Sequence, residues 1–81
     1  MSCSFNLSID TCGTRCPIPL LKAKQALKTM SKGEILQVLA TDPSAKGDFA
    51  AMLSHLPHTL LADDSVSEGQ RTIYTFYIEK G

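Results

Sequence analysis

The sequence predicts an α/β (α+β) two-layer sandwich with the element order β-α-β-α-β-β. Three observations predict it. Segments with strand-like apolar patterns lie at both ends and in the middle of the chain, and two helical apolar stripes lie between them. The length of 81 residues allows one modest core, so residues 1–81 are expected to form a single domain. Because two helices cannot cover both faces of a sheet, both should lie on one face of a four-stranded mixed sheet.

The sequence pattern in the first half of the chain predicts a strand, a loop and a helix. Phe5–Ile9 alternates apolar and polar residues and predicts a half-buried strand, and Asp10–Arg15, which contains a glycine, predicts a loop. A helix is expected from Pro17 to about Met30, and Gly33 is expected to end it. Its apolar stripe consists of Leu20, Ala23, Ala26, Leu27 and Met30.

A buried strand and a second helix follow. Glu34–Thr41 is almost continuously apolar, as is typical of an interior strand. Asp42 is then expected to cap a helix, with Pro43 at its first position and Pro57 after its end. The apolar stripe of this helix consists of Ala45, Phe49, Met52, Leu53 and Leu56.

The last third of the chain predicts two strands. His58–Ala62 is interpreted as a strand and Asp63–Gln70 as a polar connection. Thr72–Ile78 is interpreted as a strand because two sets of strand-forming residues alternate along it, namely Ile73, Thr75 and Tyr77 with Tyr74, Phe76 and Ile78. The first strand pair should be parallel, since a helix connects the two strands, and the last pair should be an antiparallel hairpin.

Charge and cysteine content narrow the function classes. The net charge is zero, which gives no overall attraction to nucleic acid or membrane, although the half up to Thr41 is basic and the rest is acidic. The first residues lack the pattern of a secretory signal, and no apolar run is long enough to span a bilayer. Three cysteines argue against a full disulfide framework. A cytoplasmic protein with free thiols is therefore expected.

Cys16 is the candidate nucleophile. It lies in the run Arg15-Cys16-Pro17-Ile18-Pro19, directly before the first helix. Pro17 and Pro19 suit a first helical turn, where backbone N–H groups have no intrahelical partner to lose. The helix dipole, unpaired N–H donors and the basic Arg15 all favour the thiolate, which is the reactive form of cysteine. The alternative is a structural thiol in the core.

A docking surface is expected beside this thiol. By their angular positions Ile18 and Leu21 lie on the solvent side of the first helical turns, and Lys22 adds positive charge there. Single exposed apolar residues are common, so a solvated helix face remains the alternative interpretation.

Cys12 is a possible auxiliary thiol. It lies four residues before Cys16, and the two could form a redox couple, or Cys12 could simply fill its loop. No local spacing places His55 or His58 beside Cys16 as a base, and no paired ligand spacing suggests a metal site. No metal and no resident cofactor are expected.

The whole pattern resembles the TusA/SirA-type sulfur-carrier (sulfurtransferase) family, from about Ile9 to Lys80. The elements that carry the resemblance are Asp10-x-x-Gly13-x-x-Cys16-Pro17-x-Pro19, Ala26-Leu27, Gly33-Glu34-x-Leu36-x-Val38-x-Ala40-Thr41-Asp42-Pro43, Asp48 and His58-x-Leu60. The resemblance implies the same β-α-β-α-β-β sandwich. It also implies that Cys16 accepts a sulfane sulfur as a transient persulfide and passes it on. Thr14 and Pro57 depart from the usual family pattern, and Cys12 lies at a variable position outside the family signature.

The resemblance also implies partners. These would be a sulfur donor, such as a cysteine desulfurase or a rhodanese-type enzyme, and a sulfur-acceptor protein serving tRNA thiolation, molybdenum-cofactor steps or sulfur metabolism. No membrane partner and no direct contact with nucleic acid are expected. Two other functions stay open: a thiol redox switch using Cys12 and Cys16, and a binding module for RNA or protein without covalent chemistry.

Overall fold

The computed structural model describes residues 4–15 and 17–81 and has the predicted element order. The elements are β1 (Leu7–Asp10), α1 (Ile18–Lys28), β2 (Ile35–Ala40), α2 (Ala45–Leu53), β3 (Thr59–Glu68) and β4 (Arg71–Glu79). Two helices and a four-stranded mixed sheet confirm the predicted fold class.

The strands lie in the order β1-β2-β4-β3. β1 is parallel to β2, with Ile9 beside Val38, and β4 is antiparallel to both of its neighbours. The last strand in sequence is therefore inserted between β2 and β3. Since β1 and β2 are parallel, the chain segments that leave their carboxyl ends meet at one end of the sheet.

Both helices pack on the same face of the sheet. Leu36, Val38 and Ala40 of β2 alternate with half-buried residues, as expected for a strand covered on this face. The α1 and α2 stripes pack on these residues as one cluster, and the ring of Phe49 stacks on that of Phe76 with centroids 4.8 Å apart. The helical stripes predicted from the sequence therefore form the core, except for Leu56, which lies beyond the end of α2 and outside this cluster.

The predicted polar connection at Asp63–Gln70 is wrong. β3 continues to Glu68, and Gly69-Gln70 alone joins it to β4. Gly69 has a φ of 64°, which suits the first position of a two-residue hairpin loop. β3 is an edge strand exposed along most of its length, so its pairing with β4 does not require apolar alternation.

Two predicted helix boundaries also differ from those in the structure. Asp42 is not the N-cap of α2: its carbonyl accepts the Ala45 N–H at 3.0 Å in a turn through Pro43, and Ser44 is the N-cap. Pro43 fixes this turn before the helix begins. Gly33 does not end α1, which ends at the C-cap Thr29. With a φ of 91°, Gly33 instead belongs to the turn that leads into β2.

The helices are short. α1 has 11 residues and α2 has nine, whereas a bilayer span takes about 20 apolar residues. Across residues 4–15 and 17–81, no helix has the length and apolar character needed to cross a membrane.

Candidate functional site

The predicted nucleophile, Cys16, lies outside the described residues. Its neighbours in sequence, Arg15 and Pro17, are described, and both side chains are exposed. The described residues on either side of position 16 form a frame that defines the site. This frame consists of the segment 11–15, called the site loop below, and the first turn of α1.

Thr11 anchors the site loop to the sheet. Its backbone N–H and its hydroxyl both donate to the Leu39 carbonyl, at 2.8 and 2.6 Å, and its side chain is buried. The carbonyl of Thr11 in turn accepts the backbone N–H and the hydroxyl of Thr14, at 3.1 and 2.6 Å. These bonds satisfy polar groups at the end of β1 and hold the loop against β2.

A second bond joins the site loop to the segment after β2. The N–H of Gly13 donates to the Thr41 hydroxyl oxygen at 2.9 Å. A cleft of about 420 Å³ lies between the two segments, lined by Gly13, Thr14, Arg15, Thr41, Asp42 and Pro43. The local sequence pattern predicts Asp42 and Pro43 as a helix start, and the family resemblance includes both residues without placing them at the site. The parallel pairing of β1 with β2 was the signal that could have placed both segments at one end of the sheet.

The first turn of α1 offers fewer free donors than predicted. The N–H of Ile18 already donates to the Arg15 carbonyl at 2.8 Å, and Pro19 has no N–H. Pro17 is the N-cap, so the helix begins one residue later than expected, and the Pro19 ring is buried. Neither Ile18 nor Pro19 therefore presents a free N–H group to an anion at this helix end. The role of Arg15, Pro17 and Pro19 in stabilising a thiolate stays a prediction.

The exposed face of α1 combines apolar and basic side chains. Ile18 is 39% and Leu21 is 48% exposed, in agreement with their predicted orientation. Lys22, Lys24 and Lys28 are also exposed on this helix, whose sequence contains no acidic residue. These five residues are called the α1 outer face below. A role of Ile18, Leu21 and Lys22 in docking stays a prediction.

Cys12 is a half-buried free thiol beside a carboxylate. Its backbone N–H donates to Oδ1 of Asp10 at 2.9 Å. Burial and the Asp10 carboxylate raise the pKa of the Cys12 thiol. The pKa of Asp10 is lowered, chiefly by the hydrogen bond that its carboxylate accepts from the Cys12 backbone N–H. The positive charges of Arg71 and Lys22 act in the same direction. Because a raised pKa reduces the thiolate fraction, this environment weighs against Cys12 as a partner in a redox switch.

His58 lies away from the site loop. It precedes β3, whose first residue pairs with Glu79 opposite the start of β2, whereas the site loop lies where β2 ends. Its Nδ1 accepts the Gly81 N–H at 3.0 Å, and burial, together with Lys80, lowers its pKa. Sequence spacing did not place His58 near the thiols, and in the structure His58 lies at the end of the sheet opposite to the site loop.

Comparison with known proteins decides the family. Residues 7–80 match the family described as sulfurtransferase TusA. The chain belongs to the TusA family. This TusA-family chain is 46% identical over 66 residues to a candidate sulfur carrier protein of Neisseria meningitidis serogroup A, a match that covers 82% of this chain and 88% of that protein. It is 38% identical over 76 residues to the sulfur carrier protein TusA of Allochromatium vinosum, covering 94% of this chain and 95% of that protein.

A solved structure supports the same fold. The crystal structure of a SirA-like protein from Desulfitobacterium hafniense superposes with a TM-score of 0.67 at 22% identity, covering 90% of this chain and 96% of that one. As a member of the TusA family, the chain is a sulfur carrier, and a carrier requires a donor and an acceptor of sulfur.

Proposed function

We propose that this chain carries a sulfane sulfur as a persulfide on Cys16 and passes it from a donor protein to an acceptor protein. The observation that carries the proposal is the Cys-Pro-x-Pro run of a TusA-family sequence, in which the cysteine directly precedes Pro17, the N-cap of α1. On one side of this position the site loop is tied to β2, and on the other lies the exposed α1 outer face.

The transfer needs only thiol chemistry. The Cys16 thiolate attacks the outer sulfur of a donor persulfide, so that a new S–S bond forms on Cys16. The donor's S–S bond breaks, and its electron pair leaves on the donor cysteine as a thiolate. In the second step, a nucleophile of the acceptor takes the outer sulfur and releases the Cys16 thiolate. Neither step consumes an oxidant or a reductant, and the persulfide is the transient intermediate.

The α1 outer face is the proposed docking surface for the partners. Ile18 and Leu21 offer apolar area, and three lysines are exposed on the same helix, so a partner surface that combines apolar and acidic side chains would be complementary. A cysteine desulfurase or a rhodanese-type enzyme is the proposed donor class. The acceptor would serve tRNA thiolation, molybdenum-cofactor steps or sulfur metabolism, without direct contact between this chain and nucleic acid. A reducing cytoplasm, which keeps thiols free, is the proposed compartment.

Intact-mass measurement after incubation with a protein persulfide donor tests the proposal. The reduced protein should gain the mass of one sulfur atom, and subsequent reduction should remove it. Cys12→Ser is the matched control, because it removes the other thiol of this region and should retain the gain. If the Cys16→Ser variant gained sulfur equally well, or if the wild type gained none, the proposal would be refuted.

A further inference from the structure

We propose that Asp10 is a positioning residue that restrains the Cys12 thiol from attacking a persulfide on Cys16. The sulfur would then leave to a partner protein and not as free sulfide. The inference rests on the proposed persulfide on Cys16 and concerns Cys12, a residue that the transfer itself does not use.

The restrained reaction is an internal displacement. A Cys12 thiolate would attack the inner sulfur of the Cys16 persulfide and form a Cys12–Cys16 disulfide. The S–S bond of the persulfide would break, and hydrosulfide would leave with its electron pair. Atoms and charge balance without any other reagent, so the reaction requires only that the Cys12 thiolate reaches the persulfide four residues away in sequence. A second thiol four residues away in sequence is therefore a route by which a carrier would lose its cargo as sulfide.

The local geometry fixes Cys12 against Asp10. Oδ1 of Asp10 accepts the Cys12 N–H at 2.9 Å, which is the i to i+2 bond typical of an aspartate at the start of a turn. The neighbouring residues Thr11 and Gly13 are bonded to the β2 carbonyl of Leu39 and to the Thr41 hydroxyl. Cys12 is thus held between two anchored residues, with its half-buried thiol next to a carboxylate.

Burial first, and then the nearby carboxylates, disfavour a thiolate at Cys12. Burial and Asp10 raise the pKa of this thiol, and Glu68 of β3 acts in the same direction. Arg71 of β4 opposes them and also stabilises the Asp10 carboxylate, as does Lys22 of α1. Since only the thiolate attacks a sulfur–sulfur bond, a raised pKa slows the internal displacement at neutral pH.

The first test isolates Cys12 from any persulfide. In a Cys3→Ser/Cys16→Ser background, the rate of Cys12 alkylation is measured as a function of pH. Asp10→Asn keeps an oxygen that can accept the Cys12 N–H but removes the negative charge. In this variant the midpoint of Cys12 alkylation should move to lower pH, and the alkylation rate at neutral pH should rise severalfold. Glu68→Gln should change the rate in the same direction, and Arg71→Gln in the opposite direction. An unchanged midpoint in Asp10→Asn would overturn the inference.

The second test follows the cargo. In a Cys3→Ser background, the protein is loaded from a persulfide donor, and sulfide release and Cys12–Cys16 disulfide are measured over time. Asp10→Asn should lose persulfide severalfold faster and form the disulfide, and adding Cys12→Ser should abolish the acceleration. Equal loss rates, or acceleration that persists without Cys12, would contradict the role of Asp10. If no variant takes up sulfur, the proposed function fails, whereas the first test still decides the link between Asp10 and Cys12.

Discussion

The hydroxyl oxygen of Thr41 accepts the backbone N–H of Gly13 at 2.9 Å, which ties the site loop to the segment that follows β2. The two residues lie 28 positions apart in sequence. The parallel pairing of β1 with β2 brings them together, because both follow the carboxyl ends of these strands. One side-chain oxygen therefore links the two segments that line the cleft next to position 16.

Replacing Thr41 by valine should loosen the site loop without disrupting the core. The variant keeps the branched shape but removes the acceptor, so we expect a loss of about 0.5–1.5 kcal/mol in the free energy of unfolding. We also expect faster hydrogen exchange at the Gly13 amide and slower sulfur transfer. Urea unfolding and exchange measured by NMR check this, with Thr41→Ser as the variant that retains the hydroxyl. Equal protection of the Gly13 amide in Thr41→Val and wild type would contradict the anchoring role.

Introducing a negative charge on the α1 outer face should weaken partner docking. Leu21→Glu places a carboxylate on a helix face that has lysines and no acidic residue, so transfer at low partner concentration should fall. A loss of about 1.4 kcal/mol in binding would appear as a tenfold lower rate. The assay is the initial rate of sulfur uptake from a donor protein.

Leu61→Glu is the matched control for this experiment. Leu61 is 44% exposed, close to the 48% of Leu21, but it lies on the edge strand β3. This variant should transfer sulfur at the wild-type rate. If both glutamate variants slowed transfer equally, the effect would be one of general charge, and the α1 outer face would not be the docking surface.

The stacked rings of the core should dominate stability. Phe49 is fully buried and lies on Phe76 with ring centroids 4.8 Å apart. Phe49→Ala should therefore cost about 3–5 kcal/mol, which is a large part of the stability of a domain this small. Phe5→Ala is the control, because Phe5 is 47% exposed and should change stability little. Denaturant unfolding of the two variants gives the comparison, and similar losses in both would refute the packing argument.

Stability should fall in mild acid because of His58. Burial, and then Lys80, lower its folded-state pKa below the ordinary value of 6.5, so the unfolded chain takes up a proton first as pH falls. The contribution of His58 is therefore fully present above pH 6.5 and is lost as pH falls through the folded pKa. The carboxylate of Asp10 also has a lowered pKa, but its contribution is lost only at lower pH, below 3.8.

A variant without the imidazole tests this pH dependence. His58→Asn keeps an oxygen that can accept the Gly81 N–H and removes the titration. Its free energy of unfolding should change less than that of the wild type as pH falls below 6.5. Parallel curves for the two proteins in this range would mean that His58 does not couple protonation to folding.

The sequence was sufficient to predict the elements whose buried side chains are apolar. The helical stripes that include Leu27 and Phe49 consist of apolar residues because burial requires them. β4 was predictable from its β-branched and aromatic residues, although residues 76–78 are buried in succession and not in alternation. The second half of β3 was missed for the converse reason. Asp64 and Ser65 resemble turn residues, and an exposed edge strand can have them because its backbone bonds come from β4.

The site was predictable in part. The exposure of Ile18 and Leu21 followed from helical angles alone. The link between Gly13 and Thr41 depends on strand pairing, which no local pattern encodes. The bond between Asp10 and Cys12 is local, and an aspartate two residues before a loop cysteine was the signal that could have indicated it.

β1 is an edge strand of four residues, which in the described sheet pairs with β2 alone, and Leu7 and Ser8 within it are exposed. The site loop thus follows a short edge strand in which three of the four residues are exposed. Segments of this kind open with a free energy well below that of global unfolding. We therefore expect local opening of β1 and the site loop to require less free energy than opening of the packed helices or β4, so that a partner that rearranges this loop leaves the core intact.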